Sequence, residues 1–90
     1  MNIVEIQQFL DNKTTLQNPY VKIAFKKREA IFGLFVRSNN DYNELKLKNF
    51  WRVVPRSRFD EYKKTSNVGL AKIFSGTEFQ RLTILKESFE

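Results

Sequence analysis

Ninety residues suffice for one domain and leave no room for a second. With 41% hydrophobic residues and nine phenylalanines the chain is too apolar to stay disordered, and without cysteine or histidine it lacks disulfides, the usual zinc ligands and the commonest catalytic bases and nucleophiles. The formal charge of +6 is concentrated in residues 21–64, where twelve Lys and Arg face five acids; such a surface attracts phosphates, anionic membranes or acidic proteins, although a solvated charged face also keeps a small protein dissolved with no partner at all.

Ile3, Ile6, Phe9 and Leu10 recur at helical spacing, with Asn2 and Glu5 in a capping-box relation. They predict an amphipathic helix over about 2–11, followed by a connector from Thr14 to Pro19. The opening residues Met1 to Glu5 have neither a basic region nor an apolar run, so no signal peptide is expected there. No apolar run approaches the ~20 residues of a membrane span, and the expected setting is the cytoplasm.

From Val21 the period changes to two. Val21, Ile23 and Phe25 alternate with Lys22, Ala24 and Lys26 in a half-buried strand. Lys27-Arg28-Glu29 reads as a turn. Ala30 to Arg37 reads as a second strand, apolar on both faces, in which Gly33 marks a bend or a close backbone approach. The outward members Phe32, Leu34 and Val36 need a cover, part of which the N-terminal helix would supply through Ile3, Ile6, Phe9 and Leu10 and the rest a neighbouring subunit. Ser38-Asn39-Asn40-Asp41 is turn chemistry. Leu45, Leu47, Trp51 and Val53 then alternate with Lys46, Lys48 and Arg52, predicting a long third strand over 44–54. Pro55 to Asn67 is a polar excursion in which Ser57 and Asp60 suit the cap of a short helical turn. Val68–Phe74 and Phe79–Leu85 complete the strands, and Lys86 to Glu90 is expected to fray. The fold class is therefore mainly β with an N-terminal α-helix: one domain over 1–90, whose five antiparallel strands over about 20–85 bend into a small barrel, because an open five-stranded sheet leaves its edges exposed.

This pattern resembles the Sm-like (LSm/Hfq-like) family. The spacing of Val21, Ile23, Phe25, Ile31 and Gly33 looks like the first Sm motif, and Leu45-Lys46-Leu47-Lys48-Asn49 like its second half. Phe74-Ser75-Gly76-Thr77-Glu78-Phe79-Gln80-Arg81-Leu82 is similar to the second motif, with Ser75 where arginine is usual. Asp41 matches the family aspartate across a longer loop, with Tyr42 or Asn43 at the pocket position. The resemblance implies an Sm-like, SH3-like barrel, assembly into homo-oligomers through edge strands, and RNA as partner. Because Ser75 replaces the basic residue and histidine is missing, it also implies that RNA would use another face than the family's base pocket. Gln7 and Gln8 lie where the resemblance puts an RNA-contacting helix, though exposed glutamines on a helix ordinarily just face solvent.

Two basic clusters are the candidate nucleic-acid-binding residues. Lys26, Lys27 and Arg28 form one. Arg52, Arg56, Arg58, Lys63 and Lys64 surround Phe59 and Tyr62 in the other, where bases would stack on aromatics beside phosphate-binding cations. Equally, Phe59 and Tyr62 would anchor the loop on the barrel, the commoner use of loop aromatics. Lys22, Lys46 and Lys48 would line up across strands or protect an edge. Gly33, Asp41, Asn43, Asn49 and Gly76 are the family-motif positions. The expected function is non-enzymatic binding of RNA or another polyanion without a cofactor or metal; the alternative is a protein-interaction or structural module that does not bind RNA.

Overall fold

The computed structural model describes residues 1–15 and 17–85, so the expected frayed end, Lys86 to Glu90, lies outside the described residues. Helix α1 (Ile3–Lys13) starts at the capping box read from the sequence: Glu5 N–H donates to Asn2 Oδ1 at 2.8 Å, and Asn2 N–H to Glu5 Oε1 at 2.9 Å. Strands β1 (Tyr20–Phe25), β2 (Ile31–Phe35), β3 (Phe50–Pro55), β4 (Lys72–Ser75) and β5 (Phe79–Ile84) form one antiparallel sheet in the order β4-β3-β2-β1-β5.

That order forces curvature. The edges of a flat five-stranded sheet lie ~19 Å apart. Only a 3₁₀ turn, Gly76–Glu78, joins the edge strands β4 and β5, and the steps from Ser75 to Phe79 reach at most ~14 Å. The sheet must therefore curl, and a register shift between Ala24 and Phe25 lies on the β1–β5 pair. Curling brings the Phe25 ring of β1 within 5.6 Å of Phe74 of β4. The mainly β, small bent architecture expected from the alternation is what the chain adopts.

The inner face holds Val21, Ile23, Phe25, Phe35, Trp51, Val53, Phe79 and Leu82, sealed by Ile6 and Leu10 of α1. Gly33 serves close approach: a Cβ there would sit 2.2 Å from Val53 Cγ1.

Four expectations need correction. Residues 44–48 are not strand; Tyr42–Leu47 is helix α2. Tyr42 lies edge-on to Trp51 at 6.1 Å and donates its hydroxyl to Gln7 Oε1 at 3.0 Å, so tertiary docking overrides the short alternation. Asn49, at φ 61°, ends the helix in the left-handed region that asparagine tolerates. Secondly, the excursion is more than a turn. A 3₁₀ turn (Arg56–Arg58) leads into helix α3 (Phe59–Thr65), whose cap position falls on Arg58, not Ser57. Thirdly, α1 covers the inner face and leaves the outer side of β2 alone. There, Val36 and Val54 form a second cluster with Phe59, joined by half-buried Leu34, Tyr62 and Val68. Phe59 and Tyr62, three apart on α3, present the same helix face to it. Finally, residues 68–70 are a 3₁₀ turn, which delays β4 to Lys72.

Candidate nucleic-acid interface

The cations separate according to what they already hold. Arg37 pairs with Asp11, Arg52 with Asp41, and Arg58 with Glu61 at 3.4 Å. Asp11 titrates below the ordinary carboxylate value because Gln7 and then Arg37 hydrogen-bond its charged form. Asp41 is lowered in the same way, chiefly by Arg52. The imagined stripe of Lys22, Lys46 and Lys48 does not form, because Lys46 rides on α2 with its Nζ 5.6 Å from the Tyr42 ring.

Seven further cations gather in two places. One is the outer face of β1, β2 and β5. Tyr20 and Lys22 point outward from β1; Lys22 sits opposite Phe32 on one side and Thr83 on the other, while Ala24 sits opposite Arg81. Lys63 reaches down from α3 with its Nζ 5.3 Å from the Tyr20 ring. Its hydrogen bond to Tyr20 holds it above the ordinary lysine pKa. The Arg56 guanidinium lies 5.6 Å over Phe32. Lys22, Ala24, Gln80, Arg81 and Thr83 line a polar concavity of about 550 Å³. Lys22, Arg56, Lys63 and Arg81 thus flank two half-buried aromatics on one side of the sheet.

The other place is the β1–β2 turn. Phe25, Lys26, Lys27, Arg28, Thr77 and Glu78 line a groove of about 500 Å³. Lys26 N–H donates to the Glu78 carbonyl at 3.0 Å, which fastens the turn to the start of β5. The Arg28 guanidinium lies 4.9 Å from the Phe25 ring centre and 5.8 Å from that of Phe74.

Of the loop cluster, then, Arg56 and Lys63 reach the sheet face, while Arg52 and Arg58 are engaged in ion pairs. Lys64 is exposed on α3. Phe59 is 5% exposed and stacks on Tyr20 with ring centres 4.6 Å apart, so it anchors the loop and offers no surface to a base. Tyr62 is half-buried against the same outer cluster. Sequence reasoning left Lys22 in a stripe that does not exist and did not single out Arg81; only their outward positions in the alternation mark them.

The family-motif positions divide as well. Asn49 and Gly76 meet: Gly76 N–H donates to the Asn49 carbonyl at 2.8 Å, and a Cβ on Gly76 would sit 2.2 Å from Asn49 Oδ1. The Asn49 amide is engaged within the fold. Its Oδ1 accepts from Trp51 Nε1 at 2.8 Å, and its Nδ2 donates to the Met1 carbonyl at 3.1 Å. Asp41 faces Asn39 and Arg52, and Asn43 is exposed on α2. At the second motif's usual arginine, the Ser75 hydroxyl instead meets that of Thr77 at 2.8 Å.

No family model, curated protein or solved structure matches the chain. Among the described residues no helix is long and apolar enough to cross a membrane, and no group of three or more Asp or Glu side chains is placed to hold a metal ion.

Proposed function

We propose that this chain is a non-enzymatic nucleic-acid-binding module of Sm-like character, which takes single-stranded RNA across the outer face of β1, β2 and β5. The supporting observation is the convergence of Lys22, Arg56, Lys63 and Arg81 around Tyr20 and Phe32. The four cations come from three separate stretches of chain that meet on one side of the sheet. Phosphates would meet the ammonium groups, and bases would stack on the Arg56 guanidinium plane, which Phe32 backs. Such an arrangement grips a strand without reading its sequence. The β4 and β5 edges, each with one strand neighbour, are the surfaces through which copies would pair into a homo-oligomer.

The test is fluorescence anisotropy of a labelled single-stranded RNA against salt concentration. Four contacts to a single strand give a slope of log K on log salt of about −3. Absence of binding at low ionic strength, or binding indifferent to salt, rejects the proposal.

A second reading, a protein-interaction module, has one observation in its favour. Phe50 and Ile73 are 38% and 50% exposed and lie on the same side of the β3–β4 pair. Light scattering and the 260/280 nm absorbance ratio of the purified protein separate the two. An oligomer or monomer carrying nucleic acid supports the first, and a nucleic-acid-free protein that retains a specific protein partner supports the second.

A further inference from the structure

The groove at the β1–β2 turn lies outside the proposed strand-binding face and has its own chemistry. Its volume, about 500 Å³, falls within the ~300–1,000 Å³ typical of small-molecule sites. Lys26, Lys27 and Arg28 follow one another on its wall, and Glu78 stands on the other side. Among the described residues no ion pair engages any of these four charged groups, so the groove brings opposite charges together without satisfying them internally. Its walls are also fixed relative to each other, because the Lys26 N–H to Glu78 carbonyl bond ties the turn to β5.

Three demands follow for a ligand. The two lysines call for an anion, and phosphate is the biological anion that a pair of ammonium groups suits. The Arg28 guanidinium lies over the Phe25 and Phe74 rings, and Arg28 is exposed and lines the groove, so the groove holds a flat cationic group backed by aromatics. Such a group stacks a planar heteroaromatic ring. The Glu78 carboxylate only accepts hydrogen bonds, so it repels bare phosphate and favours a ligand that offers an amino or hydroxyl donor. Inorganic phosphate meets one of these demands and a nucleoside meets two. A nucleoside monophosphate meets all three.

We propose that this groove is a binding site for a nucleoside monophosphate, with phosphate on Lys26 and Lys27, the base stacked on Arg28, and an amino or ribose hydroxyl donor on Glu78. It stands or falls independently of the strand-binding face.

The experiment is a titration of the ¹⁵N-labelled full chain, followed by amide chemical shifts. With AMP, the Lys26, Lys27, Arg28 and Glu78 signals shift and saturate, while adenosine and inorganic phosphate each bind about tenfold more weakly or worse. UMP and dAMP distinguish the donor: UMP binding retained with dAMP binding lost assigns Glu78 to the ribose 2′-hydroxyl, and dAMP binding retained with UMP binding lost assigns it to the base amine. A 5′-phosphorylated trinucleotide that displaces AMP identifies the end of a strand as the source; failure to displace it leaves the free nucleotide. Arg28→Lys keeps the charge, removes the flat group and weakens AMP about tenfold, with the remaining spectrum unchanged as the folding control. Glu78→Gln lowers the ratio of AMP to phosphate affinity. The proposal is overturned if phosphate binds as well as AMP, if no signal saturates, if the shifts fall on Lys22 and Arg81 instead, or if Arg28→Lys binds AMP unchanged. RNA anisotropy on the same sample reports separately on the outer face.

Discussion

The two sides of the sheet are built on different terms. The inner side is closed by a lid and a clasp: α1 seals it, and Asn49 knits Trp51, the Met1 carbonyl and the Gly76 turn together. The outer side is closed over β2, β3 and the Tyr20 end of β1, where α3 lays Phe59 on Val36, Val54 and Tyr20. Past Tyr20, along the rest of β1 and over β5, that cover stops, and the outward positions become Lys22 and Arg81. Stability therefore resides mainly on the first side, and the proposed chemistry sits at the boundary of the cover on the second. The comparison predicts that inner substitutions cost folding, that cover substitutions cost less, and that sheet-face cations cost almost no folding but all of the salt-sensitive binding.

The sharpest way to break it is Trp51→Ala. Trp51 is 1% exposed, donates to Asn49 and meets both Phe35 and Tyr42 edge-on. Its loss should remove about 3–5 kcal/mol, a large share of the stability of so small a domain. Urea denaturation followed by circular dichroism measures it, and a loss below about 1 kcal/mol would contradict the inner-side account. Gly76→Ala follows at about 2–3 kcal/mol, because its Cβ would lie 2.6 Å from Ile6 Cδ1 as well as against Asn49. Phe59→Ala then tests the cover: it should cost about 2 kcal/mol, less than Trp51→Ala, since the outer cluster is smaller and α3 can settle.

The exposed cations should behave in the opposite way. Changing Lys22, Arg56, Lys63 and Arg81 together to Ala should lower the urea midpoint far less than Phe59→Ala does, the small loss coming from the contacts of Arg56 and Lys63 with aromatic rings. The RNA salt slope should fall from about −3 towards zero. Unchanged RNA affinity in this variant would falsify the assignment of binding to the outer face while leaving the fold argument intact.

How much of this was legible in the sequence depended on the range over which each feature is decided. The capping box of Asn2 and Glu5 and the inward set Val21, Ile23 and Phe25 are local, and the chain adopts them. The alternation of Leu45 and Leu47 with Lys46 and Lys48 is equally local but too short to distinguish strand from helix. The decision was made by Tyr42 docking on Trp51 and on Gln7, and Gln7 lies far outside any window around residue 45. The cationic face was least legible, because Lys22 and Arg81 become neighbours only through the β1–β5 register. Arg52 and Arg58 looked like its members until their partners Asp41 and Glu61 were seen beside them.

The smallest effect concerns pH, and it also separates two regions. Asp11 and Asp41 lie at the solvent-facing joints that tie α1 and the loop before α2 to the sheet, and their folded pKa values are below the ordinary 3.8. A carboxyl depressed on folding adds stability that is complete above its unfolded pKa and is lost as pH falls through the folded value. Both groups are solvent-accessible, so their screened contribution is small. The urea midpoint should therefore hold from neutral pH down to about 5 and decline below about 4. Lys63, raised above 10.5 by Tyr20, acts at the other end: its contribution is complete below its unfolded pKa and is lost as pH rises through the folded one. In Arg52→Met the acid decline should become shallower, because Asp41 loses its main charged partner, while the alkaline limb, set by the Lys63–Tyr20 contact, stays as it was. If the alkaline limb changed with Arg52 as well, the Asp41 joint and the Lys63–Tyr20 contact would be coupled through β3 rather than independent.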